Sequence, residues 1–114
     1  MAINQTSVGY LTKLLQVFIN EKNAIGFQVL TVSTTAQSLT PTSGSTYARF
    51  QVESTNSTDA IRYREDGTAP TSTVGFFQGN TFVMEITSAE NIKNFKVIQG
   101  AGLGTTTLNI TYYK

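Results

Sequence analysis

The stretch AIRYREDGTAPTSTVG, residues 60–75, decides the fold class of this chain of 114 residues. Ile61 and Tyr63 alternate with two arginines at its start. An alternation with a period of two predicts a strand that has one apolar face and one charged face. The chain is therefore expected to build a sheet around this segment, with Ile61 and Tyr63 facing its core.

A structural turn is predicted directly after this strand. Asp66 and Gly67 indicate a chain reversal, because glycine adopts a positive φ without strain and an aspartate carboxylate accepts hydrogen bonds from backbone N–H groups of the turn. Pro70 fixes its own φ and biases the residue before it toward extended geometry. Gly75 closes the stretch. We expect residues 66–75 to form an ordered loop that is shaped by its own hydrogen bonds.

Similar alternation recurs along the rest of the chain and predicts a mainly β fold. In one segment Ala48, Phe50 and Val52 alternate with polar or charged residues. Six or seven short strands separated by turns indicate an antiparallel β-sandwich or a jelly-roll-like barrel. Between the second and third strands, residues 56–59 predict a hairpin turn. The predicted strands are residues 27–34, 46–54, 61–64, 76–77, 81–87, 94–99 and 105–113.

Three details of these strands are informative. The first strand carries apolar residues on both faces, so it is either buried between layers or placed at an interface between copies. In the strand at 81–87, Phe82, Met84 and Ile86 are predicted to share one face. Ser88 is expected to cap a single helical turn that ends at Asn91 or Ile92.

The segment before residue 27 interrupts the β pattern. Its apolar residues have the spacing of one face of an α-helix. We therefore divide the chain into a helical or extended N-terminal arm, residues 1–26, and a β-sandwich domain, residues 27–114. The arm either covers an open end of the sandwich or docks on a neighbouring subunit. A bilayer span is not expected, because polar residues interrupt a run far shorter than about 20 residues. The apolar residues are Leu11, Leu14, Leu15, Phe18 and Ile19.

Composition excludes several kinds of function. The chain contains no Cys, no His and no Trp, and charged residues make up only 13% of it. Without Cys there is no thiolate metal site, and without His the usual general base at neutral pH is missing. A net charge of +1 gives no basic surface for nucleic acid.

The acidic residues do not form a recognisable catalytic or metal site. Glu65 and Asp66 are the only adjacent pair, and neighbours on a strand point to opposite faces. Together with Asp59 they do not have the spacing of a calcium-binding loop. Glu53 and Glu85 are expected to form cross-strand charge pairs, with each other or with the arginines of the 61–64 strand. We expect no catalytic residue, no metal and no cofactor.

The run IRYREDGTAPT, closed by Val74 and Gly75, resembles a motif of small structural proteins of tailed bacteriophages. That motif has an aromatic residue and Arg, then Asp-Gly-Thr-x-Pro-Thr, then Gly. In the same group the chain ends in an apolar-polar-apolar-aromatic strand, which residues 108–113, LNITYY, match. The similarity covers about the last half of the chain. A related Asp-Gly-Ser/Thr-x-Pro-Thr turn also occurs in immunoglobulin-like modules of carbohydrate enzymes.

The resemblance implies a non-enzymatic virion protein, most concretely a capsid decoration (cement) protein on the capsid surface. Such a protein would bind and stabilise the major capsid protein lattice as a homo-oligomer, for example a trimer. The arm and the loops 35–45 and 66–75 would make the contacts. The candidate interface residues are large and apolar or aromatic: Leu11, Leu14, Leu15, Phe18, Phe76, Phe77 and Tyr113.

An alternative is a head-fibre or tail-tip module that recognises surface glycans of the host. Sugar sites offer an exposed aromatic ring beside planar polar groups. Tyr47, Tyr63 and Tyr113 are the candidates for that ring, although such tyrosines also serve as core or interface residues.

Overall fold

The computed structural model describes residues 22–102 and 104–114. In these residues eight strands and one helix form a mainly β fold, and the predicted fold class is confirmed. The elements are β1 (Ala24–Val32), β2 (Gln37–Ser38), β3 (Tyr47–Ser54), β4 (Ala60–Arg64), β5 (Phe76–Gly79), β6 (Val83–Thr87), α1 (Ala89–Asn94), β7 (Lys96–Ala101) and β8 (Thr106–Tyr113).

The strands form two four-stranded antiparallel sheets. Sheet one has the order β1-β8-β3-β6, and sheet two has the order β2-β7-β4-β5. β8 lies between β1 and β3, so that Leu108 is opposite Leu30 on one side and Val52 on the other. The alternation in β8 is matched by its burial, because every second residue from Thr106 to Tyr112 is buried.

The core lies between the two sheets. Its centre is a cluster of aromatic rings in which Phe50 of sheet one contacts Tyr63 of sheet two and Phe95, with centroids 5.6 and 5.4 Å away. Tyr63 stacks on Phe95 at 5.2 Å. Such ring pairs contribute about 0.5–1.5 kcal/mol beyond the burial of apolar area. Ile61 and Val97 complete the inner face of sheet two beside these rings.

The predicted hairpin at residues 56–59 is wrong. β3 and β4 belong to different sheets, so this segment carries the chain from one layer to the other. Both strands have one apolar face, and that face can meet the core from either layer. The alternation pattern alone therefore does not distinguish a hairpin from a crossing. Asp59, at the end of the crossing, is 1% exposed.

The structure differs from the predictions in the loop 35–45 and at the start of the strand predicted at 81–87. The predicted polar loop 35–45 contains β2 and the buried Leu39. β6 begins at Val83, and Phe82 is exposed rather than aligned with Ile86, because Thr81 has a φ of +73° and interrupts the extended chain.

The helix α1 is capped as predicted but extends further. The Ser88 hydroxyl oxygen accepts a hydrogen bond from the Asn91 backbone N–H at 3.2 Å, which satisfies a free donor of the first turn. The predicted end at Asn91 or Ile92 is wrong, since the helix continues to Asn94. Burial of Ile92 and Phe95 against the core holds this additional turn in place.

The N-terminal segment meets the domain beside its C-terminal strand. Asn23 and Lys114 exchange backbone hydrogen bonds of 3.2 and 2.9 Å, one residue before β1 and one after β8. β1 begins at Ala24, three residues earlier than the predicted strand. Residues 1–21, and with them the predicted helical pattern of the arm, lie outside the described residues.

Candidate functional site

Arg62 organises the loop that follows β4. Its side chain points away from the core, because Ile61 and Tyr63 are the buried residues of this strand. The guanidinium donates to the carbonyl oxygen of Ser72 at 3.0 Å and to that of Gly75 at 2.9 Å. It also lies over the ring of Phe77, 5.0 Å from its centroid. One side chain thus holds both ends of the segment 72–75 against the outer face of sheet two.

The turn at the start of this loop has the predicted chemistry. Arg64 forms a bidentate ion pair with Asp66, with Nε donating to Oδ1 at 3.0 Å and Nη2 donating to Oδ2. The Asp66 carboxylate also accepts a hydrogen bond from the Thr68 backbone N–H at 3.2 Å. The hydrogen bonds with Arg64 lower the pKa of the Asp66 carboxyl below its usual value. Gly67 has a φ of +85°, as the predicted reversal requires.

The end of the loop is packed tightly as well. Pro70 is buried, and Gly75 has a φ of +131°. A side chain at Gly75 would place its Cβ 3.1 Å from Pro70 Cβ and 3.2 Å from the Tyr63 carbonyl oxygen. The four residues predicted as structural, Asp66, Gly67, Pro70 and Gly75, all lie in this hydrogen-bonded loop.

A cleft of about 690 Å³ opens between this loop, the edge strand β5 and α1. Ligand sites in proteins commonly have volumes of about 300–1,000 Å³. Gly67 connects two of its walls, since its backbone N–H donates to the Asn94 carbonyl oxygen at 3.2 Å. The cleft is lined by Arg64, Glu65, Asp66, Val74, Gly75, Phe76, Asn91 and Asn94.

Phe76 supplies the largest apolar surface in this cleft. It is directly opposite Tyr63 in the β4–β5 ladder, but β5 is the edge strand, and the side chain is 70% exposed. The ring centroids of Phe76 and Tyr63 are 5.8 Å apart, and Tyr63 in turn stacks on Phe95. The exposed ring therefore contacts the aromatic core on one side and faces solvent on the other.

The polar groups of the cleft are also held. The Asn91 side-chain amide donates to the Thr87 carbonyl oxygen at 2.7 Å, and that of Asn94 donates to the Glu90 carboxylate at 3.3 Å. Burial raises the pKa of the Glu65 carboxyl above its usual value. An exposed aromatic ring beside amides and a carboxylate can bind a partner through one apolar contact and several hydrogen bonds.

The structure places the predicted interface residues in separate regions. Phe76 and Phe77 are both exposed on β5 of sheet two. Tyr113 is half-buried on β8 of sheet one, where its ring makes an edge contact with Tyr47 at 5.3 Å. It does not take part in the cleft. The remaining candidates, Leu11, Leu14, Leu15 and Phe18, lie outside the described residues.

Of the three tyrosines considered as a sugar platform, Tyr63 lies in the core and Tyr47 and Tyr113 are half-buried. Tyr63 is 5% exposed and belongs to the core, which rules out the predicted role for it. Tyr47 and Tyr113 contact each other, and Lys22 Nζ lies 4.8 Å from the Tyr47 ring centroid. Burial, together with a hydrogen bond to Glu85, raises the pKa of Tyr47 to about 12. Phe76, which was predicted only as a protein contact, is an exposed ring with neighbouring polar groups in the cleft.

The outer face of sheet one carries exposed apolar residues that sequence reasoning did not assign to a site. Phe27 and Val29 lie on the edge strand β1 and are 63% and 58% exposed. Val83 lies on the same face at the opposite edge, where it is opposite Gln51, and is 53% exposed. In the sequence, the apolar residues on both faces of the predicted first strand indicated part of this exposed surface.

The predicted charge pairs of Glu53 and Glu85 are not formed with Arg62 or Arg64. Both glutamates belong to sheet one, whereas the two arginines belong to sheet two. Glu85 is directly opposite Arg49 in the β3–β6 ladder instead. Glu53 accepts a hydrogen bond from the Asn109 side chain at 3.1 Å.

Within residues 22–102 and 104–114, no group of three or more potential metal-ligating side chains comes together. The buried carboxylate of Asp59 contacts a nearby side chain: its Oδ2 accepts a hydrogen bond from the Ser54 hydroxyl at 2.5 Å. No helix in the described part of the chain is long and apolar enough to cross a membrane.

Comparison with protein-family models, curated proteins and solved structures found no significant match to this chain.

Proposed function

We propose that this chain is a non-enzymatic structural protein of a bacteriophage virion, a decoration protein that attaches to the major capsid protein lattice at the capsid surface. The cleft beside β5 is the observation that carries the proposal. Part of its lining comes from the stretch, residues 60–75, that resembles the phage motif. The exposed aromatic ring of Phe76, on the edge strand β5 directly after this stretch, lies in the same cleft.

The cleft has the organisation of a contact site for a protein partner. Phe76 is a large apolar residue of its lining, and the same lining includes polar side chains of α1 and the Arg64–Asp66 ion pair. Binding energy at protein interfaces is concentrated in a few such aromatic anchors inside a polar rim. On a repeating lattice many copies bind at once, so that a modest affinity per copy is sufficient for stable attachment.

Co-sedimentation with undecorated capsids tests this function. We expect the wild-type chain to bind saturably and Phe76→Ser to weaken binding by 30-fold or more, since loss of an anchor costs about 2 kcal/mol. Lys93→Ser, an exposed change on α1 outside the cleft, serves as the control and should bind like the wild type. Far-UV circular dichroism confirms that each variant is folded. Failure of the wild-type chain to sediment with capsids would contradict the proposal.

A second candidate function is recognition of surface glycans by the same cleft. The observation that favours it is the exposed Phe76 ring beside the Asn91 and Asn94 amides and the Glu65 carboxylate. An aromatic face packs against the C–H groups of a sugar, while amides and carboxylates bind its hydroxyl groups. Trp is absent from the chain, so Phe76 would be the stacking residue.

A glycan array distinguishes the two functions. A defined sugar ligand that Phe76→Ser loses and Phe76→Tyr keeps would support glycan recognition. An array without hits, combined with saturable binding to empty capsids, would support the structural role.

A further inference from the structure

We propose that the cleft receives an extended, basic segment of the capsid protein, which pairs with the free edge of β5 and places a Lys or Arg side chain against Glu65. The inference rests on the proposed function and deepens it, because it names the chemistry of the partner segment. Three features of the cleft support it: the open edge of β5, an exposed apolar surface and a negative charge that no described residue neutralises.

β5 forms an open edge of sheet two. Among the described residues it pairs with β4 alone, and residues 76–79 lie opposite residues 60–63 of that strand. In an antiparallel ladder alternate residues bond to the neighbour, so every second residue of an edge strand directs its N–H and C=O groups outward. An extended peptide can bond to these groups, and exposed edges readily accept one. A helix cannot, because its backbone groups are already bonded within it.

Two exposed apolar side chains lie beside this edge. Phe76 is the first residue of β5 and Val74 precedes it by two positions, and both line the cleft. A segment that pairs with β5 and continues past Phe76 enters the cleft. An apolar side chain of the segment placed there would remove the exposed ring from water.

The charged residues in the lining leave one carboxylate without a counter-ion. Arg64 and Asp66 form an ion pair with each other, whereas no described residue forms an ion pair with Glu65. Glu65 is half-buried, and burial raises the pKa of its carboxyl above the usual value. Lys96 is opposite Arg64 in the β4–β7 ladder but does not line the cleft. A cation supplied by the partner would therefore stabilise the Glu65 carboxylate, and an acidic segment would be repelled.

A basic extended segment uses all three features at once. Its backbone pairs with β5, its apolar side chain covers Phe76, and its cation neutralises Glu65. A neutral glycan would contact the Phe76 ring but would leave the charge of Glu65 without a counter-ion and the edge of β5 without a paired strand. The combination therefore favours a protein segment in this cleft.

Co-sedimentation with undecorated capsids, carried out with charge variants of Glu65, tests the inference. Glu65→Gln should weaken binding by about 10-fold, and Glu65→Lys by about 100-fold or more, because like charges then face each other. Glu53→Gln and Glu53→Lys make the same charge changes at an exposed position of sheet one and should bind like the wild type. Far-UV circular dichroism confirms that each variant is folded.

Photochemical cross-linking identifies the segment itself. Phe77→p-benzoylphenylalanine places the reactive group on β5, where the side chain is exposed. After irradiation of decorated capsids, mass spectrometry should find it joined to a segment of the capsid protein that contains Lys or Arg beside an apolar residue. A synthetic peptide of that segment should bind the purified chain, and N-methylation of its alternate backbone amides should abolish binding, since strand pairing needs those N–H groups.

Several outcomes would overturn the inference and leave the proposed function in place. These are wild-type affinity of Glu65→Lys for capsids, a captured segment without Lys or Arg, and a peptide whose binding survives N-methylation at every position. Capture of a second copy of this chain, or a defined glycan that binds wild type and Glu65→Lys equally well, would assign the cleft to another ligand. A wild-type chain that does not bind capsids would remove the proposed function and the inference together, which is a distinct result.

Discussion

At the scale of single residues, Asp59 shows how a buried carboxylate shapes the backbone around it. It is 1% exposed, and among the described residues Oδ1 has no hydrogen-bond partner. Two glycines approach it closely: a Cβ on Gly102 would lie 1.6 Å from Oδ1, and a Cβ on Gly104 would lie 2.4 Å from Oδ2. The glycines of this turn are thus needed for space around Asp59, which composition alone did not indicate.

Replacement of Gly102 by alanine tests this interpretation. Gly102→Ala should lower the free energy of unfolding by about 2 kcal/mol or more, because the Cβ collides with Asp59 and the residue has a φ of +90°. Gly79→Ala is the matched control, since a Cβ there meets no heavy atom within 4 Å. Urea unfolding of both variants checks the prediction. Equal stability of the two variants would show that the turn rearranges freely around Asp59.

Two neighbouring carboxyl groups should affect stability in opposite directions as the pH changes. The pKa of Glu65 is raised in the folded protein, so its contribution to folding stability is most favourable below the ordinary carboxyl pKa. This contribution is lost as the pH rises through the pKa of the folded state. Glu65→Gln should therefore be more stable than the wild type at pH 7, by less than about 1 kcal/mol because the group is partly solvated. The difference should disappear in acid.

Asp66→Asn is the matched comparison for this experiment. Its lowered pKa stabilises the fold above the ordinary carboxyl pKa, and this stabilisation is lost as the pH falls through the folded value. The Asn variant should be the less stable one at pH 7 and should approach the wild type in acid. Thermal unfolding between pH 3 and 7 measures both variants, and the same sign for both would contradict the assignment.

At the scale of elements, the loop after β4 depends on a single arginine. Arg62→Lys keeps the charge but replaces the planar guanidinium, which donates to two carbonyl groups, by a single ammonium. We expect a loss of about 1–2 kcal/mol in the free energy of unfolding and faster proteolysis within residues 68–74. Arg49→Lys, an exposed arginine on sheet one, is the control and should change neither quantity appreciably. Unchanged proteolysis in Arg62→Lys would show that the loop is held by other contacts.

Elements with a strong local signal were predictable. The alternation in β3, β4 and β8, the Ser88 cap and the turn at Asp66 and Gly67 are all confirmed, because each depends on residues close together in the sequence. The crossing at 56–59 and the short β2 depend on which sheet a segment joins. Pairing between distant segments decides that choice, and an alternation pattern does not encode it.

At the scale of the whole molecule, the cleft could not be predicted from the sequence. Phe76 and the loop residues were recognised as candidates, but Asn91 and Asn94 reach the same site only because the fold brings α1 next to the loop after β4, where Gly67 donates to the Asn94 carbonyl oxygen. The exposed apolar residues on the outer face of sheet one had a partial signal in the two-sided pattern of β1. The position of Phe27 and Val29 at one edge and of Val83 at the other follows from the strand order β1-β8-β3-β6.

The N-terminal arm is expected to act in assembly rather than in folding of the domain. Leu14→Asp combined with Phe18→Asp should leave a folded β domain and abolish oligomerisation or capsid attachment, because charges on the apolar stripe oppose docking. Gln16→Asp, off that stripe, is the control. Analytical ultracentrifugation and far-UV circular dichroism provide the measurements. Unfolding of the double variant would show that the arm belongs to the core of its own domain.

The position of β8 has a consequence for biosynthesis. This strand is made after all three of its companions in sheet one, yet it is the one that joins β1 to β3 along its entire length. Until β8 has been synthesised, β1 has no partner strand in sheet one, and only β3 and β6 can pair with each other. We therefore expect sheet one to be completed only after β8 has been synthesised, with the earlier apolar strands exposed to chaperones for several seconds at about 5–20 residues per second.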